Sequence, residues 1–265
     1  MITIYSTFRS FEHERYCEIQ LDAFRSWVKL DPKPQVIIMG DEPGTARICR
    51  NNNFLHIPKI RSSKAGTPYV NSLIETAEKH AENDIMLLVS GDIIIGQETI
   101  DIAKAAKKQL DEFCVCARKI HVAKRRNGSF KHERWATWQA GDYWLHTKGF
   151  YSGMPDFLIG RHLVERWMYR HACNKNGLVD ATGLATVYHQ NHPRDFKPKN
   201  KEKDWNRKMW DENYFEVEKW KNHECYEAHK LFNIGINHSN WIMKPDYSLV
   251  DNVDPNDRYF GKEVL

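Results

Sequence analysis

No stretch of this 265-residue sequence approaches the ~20 consecutive apolar residues of a membrane-spanning helix. Met1-Ile2-Thr3-Ile4 is also too short for the apolar segment of a secretory leader, so a chain without a membrane span is expected. Paired cysteines are missing. Cys17, Cys49, Cys114, Cys116, Cys173 and Cys225 are scattered with no C-x-x-C, which argues for reduced, mostly core thiols and against a zinc site. There is no G-x-G-x-x-G and no G-x-x-x-x-G-K-[ST], so neither a dinucleotide dehydrogenase nor a P-loop NTPase is supported. A strong charge of one sign is lacking too. With 39 basic and 35 acidic residues the balance is +4, too weak to imply nucleic acid but no obstacle to a phosphorylated ligand. No internal repeat is present.

What the chain does have is a run around which the rest is arranged, Ile85-Met86-Leu87-Leu88-Val89-Ser90-Gly91-Asp92. Five apolar residues are too few for a helix and read as a strand buried on both faces of a parallel sheet. It ends in a hydroxyl, a glycine and a carboxylate, at the sheet edge where open α/β folds bind ligands. A carboxylate there suits a divalent cation, and a hard cation suits a diphosphate.

Before this run, Ile2 to Tyr5 reads as strand one, with Thr7-Phe8-Arg9 in its exit loop. A helix follows with Cys17, Leu21, Phe24 and Val28 on one stripe, stopped by Pro32 and Pro34. Gln35 to Met39 is a second buried strand, leading into Gly40-Asp41-Glu42. A short helix near Ala46, a short strand at Phe54 to Ile57, and a helix with Val70, Leu73, Ile74, Ala77 and Ala81 on one face come next. After Asp92, a helix from Glu98 to Glu112 and a strand from Phe113 to Ile120 are predicted. The alternation predicts a mostly parallel sheet flanked by helices, with three polar strand-end loops on one edge and a nucleotide pocket there.

Beyond residue 120 the texture changes. Lys124-Arg125-Arg126-Asn127-Gly128 reads as an exposed basic turn, Gly141 to Leu145 and Gly153 to Gly160 as extended pieces, and Arg161 to Asn174 as a helix. Glu165 falls off that helix's apolar stripe near its start, where the helix dipole is expected to keep it ionised. A strand at Gly183 to Tyr188 runs into His189-Gln190-Asn191-His192. Residues 197–208 read as a flexible lysine-rich tether, and Phe215 to Leu231 as a helix.

In order and spacing, these pieces resemble the GT-A nucleotide-diphospho-sugar glycosyltransferases, and look closest to compact, soluble members from bacteria and large viruses. The resemblance covers roughly residues 2 to 195. It rests on Thr7-Phe8-Arg9, Ile19 to Trp27, Gly66-Thr67-Pro68, Ser90-Gly91-Asp92-Ile93-Ile94, Gly141-Asp142-Tyr143-Trp144, Gly160-Arg161 with Glu165-Arg166-Trp167, and Asp180-Ala181-Thr182 through to His192. It implies an α/β GT-A (Rossmann-like) domain over 1–195, with a nucleotide half (1–120), an acceptor and sugar half (121–195), and a less regular extension (196–265) packed on the same domain. A cytoplasmic setting, inside the host cell for a viral chain, goes with it.

The resemblance further implies a UDP- or GDP-sugar donor, a glycan, lipid-linked or protein acceptor, and Mn²⁺ or Mg²⁺ as cofactor. Asp92 would hold the metal, with His189 or His192 completing its ligands. Thr7, Phe8, Arg9, Asp41, Ser90 and Gly91 would surround the nucleotide sugar. Glu165 would be the catalytic base of an inverting transfer, and Asp142 would bind sugar hydroxyls. Trp135, Trp138, Tyr143 and Trp144 are candidates to stack on sugars. Ser90 departs from the family pattern, standing where many members carry Asp or Asn; it can make one hydrogen bond to a ribose but brings no second charge to a metal.

Three other readings fit parts of the sequence. A sugar nucleotidyltransferase would want a Gly- and Arg-rich loop after strand one, which Thr7-Phe8-Arg9-Ser10-Phe11 does not supply. A nucleotide-sugar or glycan-binding protein of the same fold with little or no activity is kept in play by Ser90. A nucleic-acid binder would have to use Lys124-Arg125-Arg126 and the lysine-rich stretch, against the weak net charge.

Overall fold

The computed structural model describes residues 1–138, 141–192, 200–217, 219 and 236–252. The first half alternates strand and helix: β1 (Thr3–Thr7), α1 (Glu14–Trp27), β2 (Gln35–Met39), α2 (Thr45–Asn52), β3 (Leu55–Ile57), α3 (Val70–His80), β4 (Ile85–Val89), β5 (Ile93–Ile95) and α4 (Glu98–Gln109). Short strands then dominate: β6 (Cys114–Cys116), β7 (Ile120–Lys124), β8 (Phe130–Trp135) and β9 (Tyr143–Thr147). After them come α5 (Val164–Asn174), β10 (Leu178–Asp180), β11 (Val187–Gln190), α6 (Asn200–Glu212), a 3₁₀ turn (Ile236–His238), β12 (Trp241–Met243) and β13 (Leu249–Asp251).

Among the described residues the main sheet runs β13-β12-β10-β6-β9-β4-β1-β2-β3. It is parallel except where β9 lies between β4 and β6 and where β13 closes the edge. A smaller sheet, β5-β11-β7-β8, stands beside it. The expected architecture, a mostly parallel sheet flanked by helices, is thus the one observed.

β4 shows why. Met86 and Leu88 point into one core layer, with α3 and with Trp167 and Met168 of α5. Leu87 and Val89 point into the other, with Phe24 and Trp27 of α1 and Ile100 and Ala103 of α4. A strand covered on both faces has no use for alternation, and each such apolar side chain contributes about 1.5–3 kcal/mol on burial.

Several expectations need correcting. The buried stripe of α1 is Tyr16, Ile19, Gln20, Ala23, Phe24 and Trp27, rotated from the predicted one; Cys17, Leu21 and Val28 are only partly covered. Trp27 sets the rotation, since it is fully buried and its Nε1–H donates to the Ile93 carbonyl (2.9 Å). The strand predicted over Phe113 to Ile120 is two strands in different sheets, parted at Ala117–Lys119. The last predicted strand begins later, at Val187, and β5, β8 and β10 were not anticipated.

Residues 200–208 are not a tether but most of α6. Its inward positions are Glu202, Asn206 and Trp210, all buried. Asn206 Oδ1 accepts from the Leu158 amide (2.8 Å), and its Nδ2 donates to the Leu158 and His162 carbonyls (3.1 Å each). A helix fastened by polar side chains leaves no apolar stripe to read. Residues 197–199, most of the helix predicted over Phe215 to Leu231, and Cys225 lie outside the described residues; Phe215 to Val217 are not helical. Among the described residues, none of the other five cysteines is in a disulfide.

Candidate active site

Because β1, β2 and β4 pair in parallel, their carboxyl ends open on one edge of the sheet. A cavity of about 750 Å³ lies there, within the range of small-molecule sites. Ser6 Oγ donates to the Val89 carbonyl (2.6 Å) and ties the two central strands at that edge. Gly91 lets their loops touch: a Cβ at this position would stand 2.6 Å from the Thr7 carbonyl oxygen and 2.8 Å from a Phe8 ring carbon. From α1, the Gln20 side chain clamps the Arg9 backbone, accepting from its N–H (2.5 Å) and donating to its carbonyl (3.0 Å). The Arg9 guanidinium then lies over the Tyr16 ring at 4.8 Å.

The structure gathers Thr7, Phe8, Arg9, Ser90, Gly91, Asp92, Asp142, Glu165, His189 and His192 around this one cavity. Asp41 is left out: it is exposed and its neighbour Glu42 forms the wall instead. Phe8 gives little side chain to the cavity, being 5% exposed and stacked on Trp27. Of the four aromatics, Trp144 lines the cavity, Tyr143 is fully buried in the core, and Trp135 and Trp138 flank the Arg118 guanidinium.

At one end sits a cluster of possible metal ligands. The small sheet builds it: β11 runs antiparallel to β5 with His189 opposite Ile93, one residue after Asp92. Asp92 Oδ2 lies 3.4 Å from His189 Nε2 and 3.3 Å from His192 Nε2. The three ligand atoms are all within 4.8 Å of one another. Burial alone would raise the Asp92 pKa, but the two imidazoles and the Lys119 charge hold its carboxyl well below the usual range. An ionised carboxylate with two imidazole nitrogens fits a cation such as Mn²⁺ better than Mg²⁺, which favours an all-oxygen shell. Behind His189 stands His121, ring against ring at 83° with centroids 5.0 Å apart and Nδ1 atoms 3.3 Å apart.

At the other end is Glu165, half-buried in the first turn of α5. Leu163 at the N-cap takes a left-handed φ of 80°, a conformation that costs a non-glycine residue about 1–2 kcal/mol and turns the chain into the helix beside the cavity. Burial pushes the Glu165 carboxyl up to about 7; the Asp142 charge adds to the rise, while its own backbone amide, Lys119 and Arg166 oppose it. The expectation of a fully ionised Glu165 is therefore corrected. Loss of water outweighs the helix terminus.

Between the two ends, Ser90 Oγ donates to Asp142 Oδ1 (2.9 Å), and the Lys119 ammonium bonds Oδ2. Ser90 is thus engaged with Asp142. Burial disfavours the Lys119 charge, but Asp142, Asp92 and Glu165 together hold its pKa raised. Lys119, Gln20 and Arg161 also line the cavity; the resemblance includes Gln20 and Arg161 but gives them no site role, and Lys119 falls outside its motifs. Gln20 was findable as a polar residue inside an apolar helical stripe. Lys119 lies in the break between two short strands, where no periodicity marks it.

No protein-family model and no curated protein matches the sequence. Solved structures do match. Residues 1–349 of S. aureus TarS, bound to UDP-GlcNAc, superpose with a TM-score of 0.55 at 16% identity, over 86% of this chain and 69% of that one. The chain has the GT-A fold. GalNAc-T7 with UDP, GalNAc and Mn²⁺ agrees, with a TM-score of 0.53 at 11% identity over 88% of this chain and 55% of that one. At these identities the shared property is the fold. No described helix is long and apolar enough to cross a membrane.

Proposed function

We propose that this GT-A chain is a metal-dependent, inverting glycosyltransferase. It moves a sugar from a nucleotide-diphospho-sugar to a hydroxyl of a glycan, lipid-linked or protein acceptor. The observation that carries the reading is one cavity holding an Asp92–His189–His192 cluster at one end and a protonatable Glu165 at the other, on the sheet edge where this fold is open. Asp92, His189 and His192 would hold the cation. When bound, Mn²⁺ supplies Lewis-acid neutralisation of the charge that builds on the departing diphosphate.

The remaining work falls to the chain itself. Thr7, Arg9 and Glu42 line the end for the nucleoside, with the Arg9 backbone pre-set by Gln20. Glu165 takes the proton from the acceptor hydroxyl. As that oxygen bonds to the anomeric carbon, the bond to the diphosphate oxygen breaks on the opposite face and its electron pair leaves with the nucleotide. A pKa of about 7 suits a base at neutral pH. Asp142, held by Ser90 and Lys119, is a fixed acceptor for a sugar hydroxyl. Because the TarS and GalNAc-T7 structures hold uridine nucleotides, a UDP-sugar is the first donor to try.

A second reading, a donor-binding protein with little turnover, is favoured by Ser90, which brings no second carboxylate to the cation. Calorimetry with UDP- and GDP-sugars, in Mn²⁺ and then EDTA, tests the main reading. Donor binding that needs Mn²⁺ and weakens more than about a hundredfold in Asp92→Ala is expected. Absence of binding to any nucleotide sugar, with or without metal, overturns it. Binding without turnover, and no further loss in Glu165→Gln, favours the second.

A further inference from the structure

We infer that His121 is a positioning residue, resting on the metal role proposed above: it keeps the proton of His189 on Nδ1 and so leaves His189 Nε2 bare toward Asp92. His121 is not one of the three clustered ligands. It meets the cluster at His189, its direct neighbour in the parallel pairing of β7 with β11.

A neutral imidazole has one N–H and one lone pair. His189 Nε2 is the atom that faces Asp92 Oδ2, at 3.4 Å. To give a lone pair to a cation there, His189 must carry its proton on Nδ1. That Nδ1 lies 3.3 Å from Nδ1 of His121, and two ring nitrogens at this distance hydrogen-bond only when one is protonated and the other is not. Two arrangements follow. In one, His121 Nδ1–H donates to His189, and the His189 proton sits on Nε2 against the Asp92 carboxylate. In the other, His189 Nδ1–H donates to His121, and Nε2 is free for a cation.

The second arrangement requires a neutral His121 with its own proton on Nε2. Once a cation takes the Nε2 lone pair, His189 Nδ1 can only donate, and His121 Nδ1 at 3.3 Å is placed to accept. A ligand histidine steadied by an acceptor on its far nitrogen is the general way proteins fix ring orientation at metals. The usual acceptor is a carboxylate or a carbonyl. Here it is an imidazole, and one neutral ring controls the tautomer of another.

The test is Mn²⁺ titration by calorimetry without donor, on wild type, His121→Phe and His121→Asn. Phe keeps a ring but offers no acceptor, whereas Asn restores an oxygen near the place of Nδ1. Mn²⁺ binding about 10–100-fold weaker in the Phe variant, and largely recovered in the Asn variant, is expected. A Phe variant that binds Mn²⁺ as tightly as wild type, or an Asn variant as weak as Phe, overturns the role of His121. Wild-type protein that takes up no Mn²⁺ overturns the metal reading itself, and the wild-type titration alone tells the two failures apart. An independent check needs no variant: ¹⁵N spectra of histidine-labelled protein loaded with diamagnetic Zn²⁺ should show His189 protonated at Nδ1, and protonation at Nε2 refutes the inference.

Discussion

Asp92 and Glu165 line the same cavity, yet their surroundings drive their protons in opposite directions. Both are partly buried, which by itself raises each pKa, and both feel the Lys119 charge. What separates them is the next neighbour. Asp92 has two imidazole nitrogens within 3.4 Å and stays ionised. For Glu165 burial prevails, the negative Asp142 adds to it, and the carboxyl rises to about 7. Neither the residue type nor a place at a helix start decides what a carboxylate can do here; its burial and the few groups beside it do. On the proposed reading, one end of the cavity would keep a cation and the other accept a proton.

The sharpest way to split these ends is Glu165→Gln. Turnover should fall by about 10²–10⁴-fold, while Mn²⁺-dependent donor binding, measured by calorimetry, stays as in wild type. A parallel loss of donor binding would erase the division of labour. In wild type, the working form of Glu165 is the carboxylate, so kcat/KM should climb with pH and level off above a midpoint of about 7. That limb should vanish in the Gln variant.

Lys119→Met blurs the comparison. The ammonium lowers both carboxyl pKa values, so its loss should move the kcat/KM limb to more alkaline pH and cut activity at pH 6.5 by roughly three- to tenfold. A limb that does not move would show that Lys119 serves only to hold Asp142. The smallest effect belongs to Ser90→Ala. It removes one hydrogen bond to Asp142, about 1 kcal/mol or roughly fivefold in kcat/KM, and should leave Mn²⁺ affinity unchanged. A drop in Mn²⁺ affinity would place Ser90 with the metal end instead.

The half of the molecule that could be read from sequence is the half that buries contiguous apolar runs. Ile85 to Val89 and Gln35 to Met39 declare themselves as strands because both faces are covered. The later elements hide. Cys114–Cys116 and Leu178–Asp180 are three-residue strands whose identity comes from their neighbours in the sheet. Asp92 was legible from its place at a strand end, whereas His189, His192 and Glu165 were singled out through family resemblance. No local pattern could show that Ile93 pairs with His189 across the small sheet, which is what brings the candidate ligands together. The ionisation of Glu165 is hidden for the same reason: the burial that raises its pKa, and the Asp142 charge that adds to it, come from elements distant in sequence.

The polar fastening of α6 has one more consequence. Glu202 accepts from Arg161 (2.7 Å) and Ser63 (3.2 Å), and Arg161 also donates to Thr67 (2.9 Å), so the cavity wall at Gly66–Pro68 is held by a helix well over a hundred residues downstream. Hydrogen bonds of this kind are directional and fail abruptly, unlike apolar contacts that slide. The wall and α6 therefore share one set of hydrogen bonds through Arg161, so displacing α6 would cost the wall that anchor while its bonds to Ser63 and Ile159 remain.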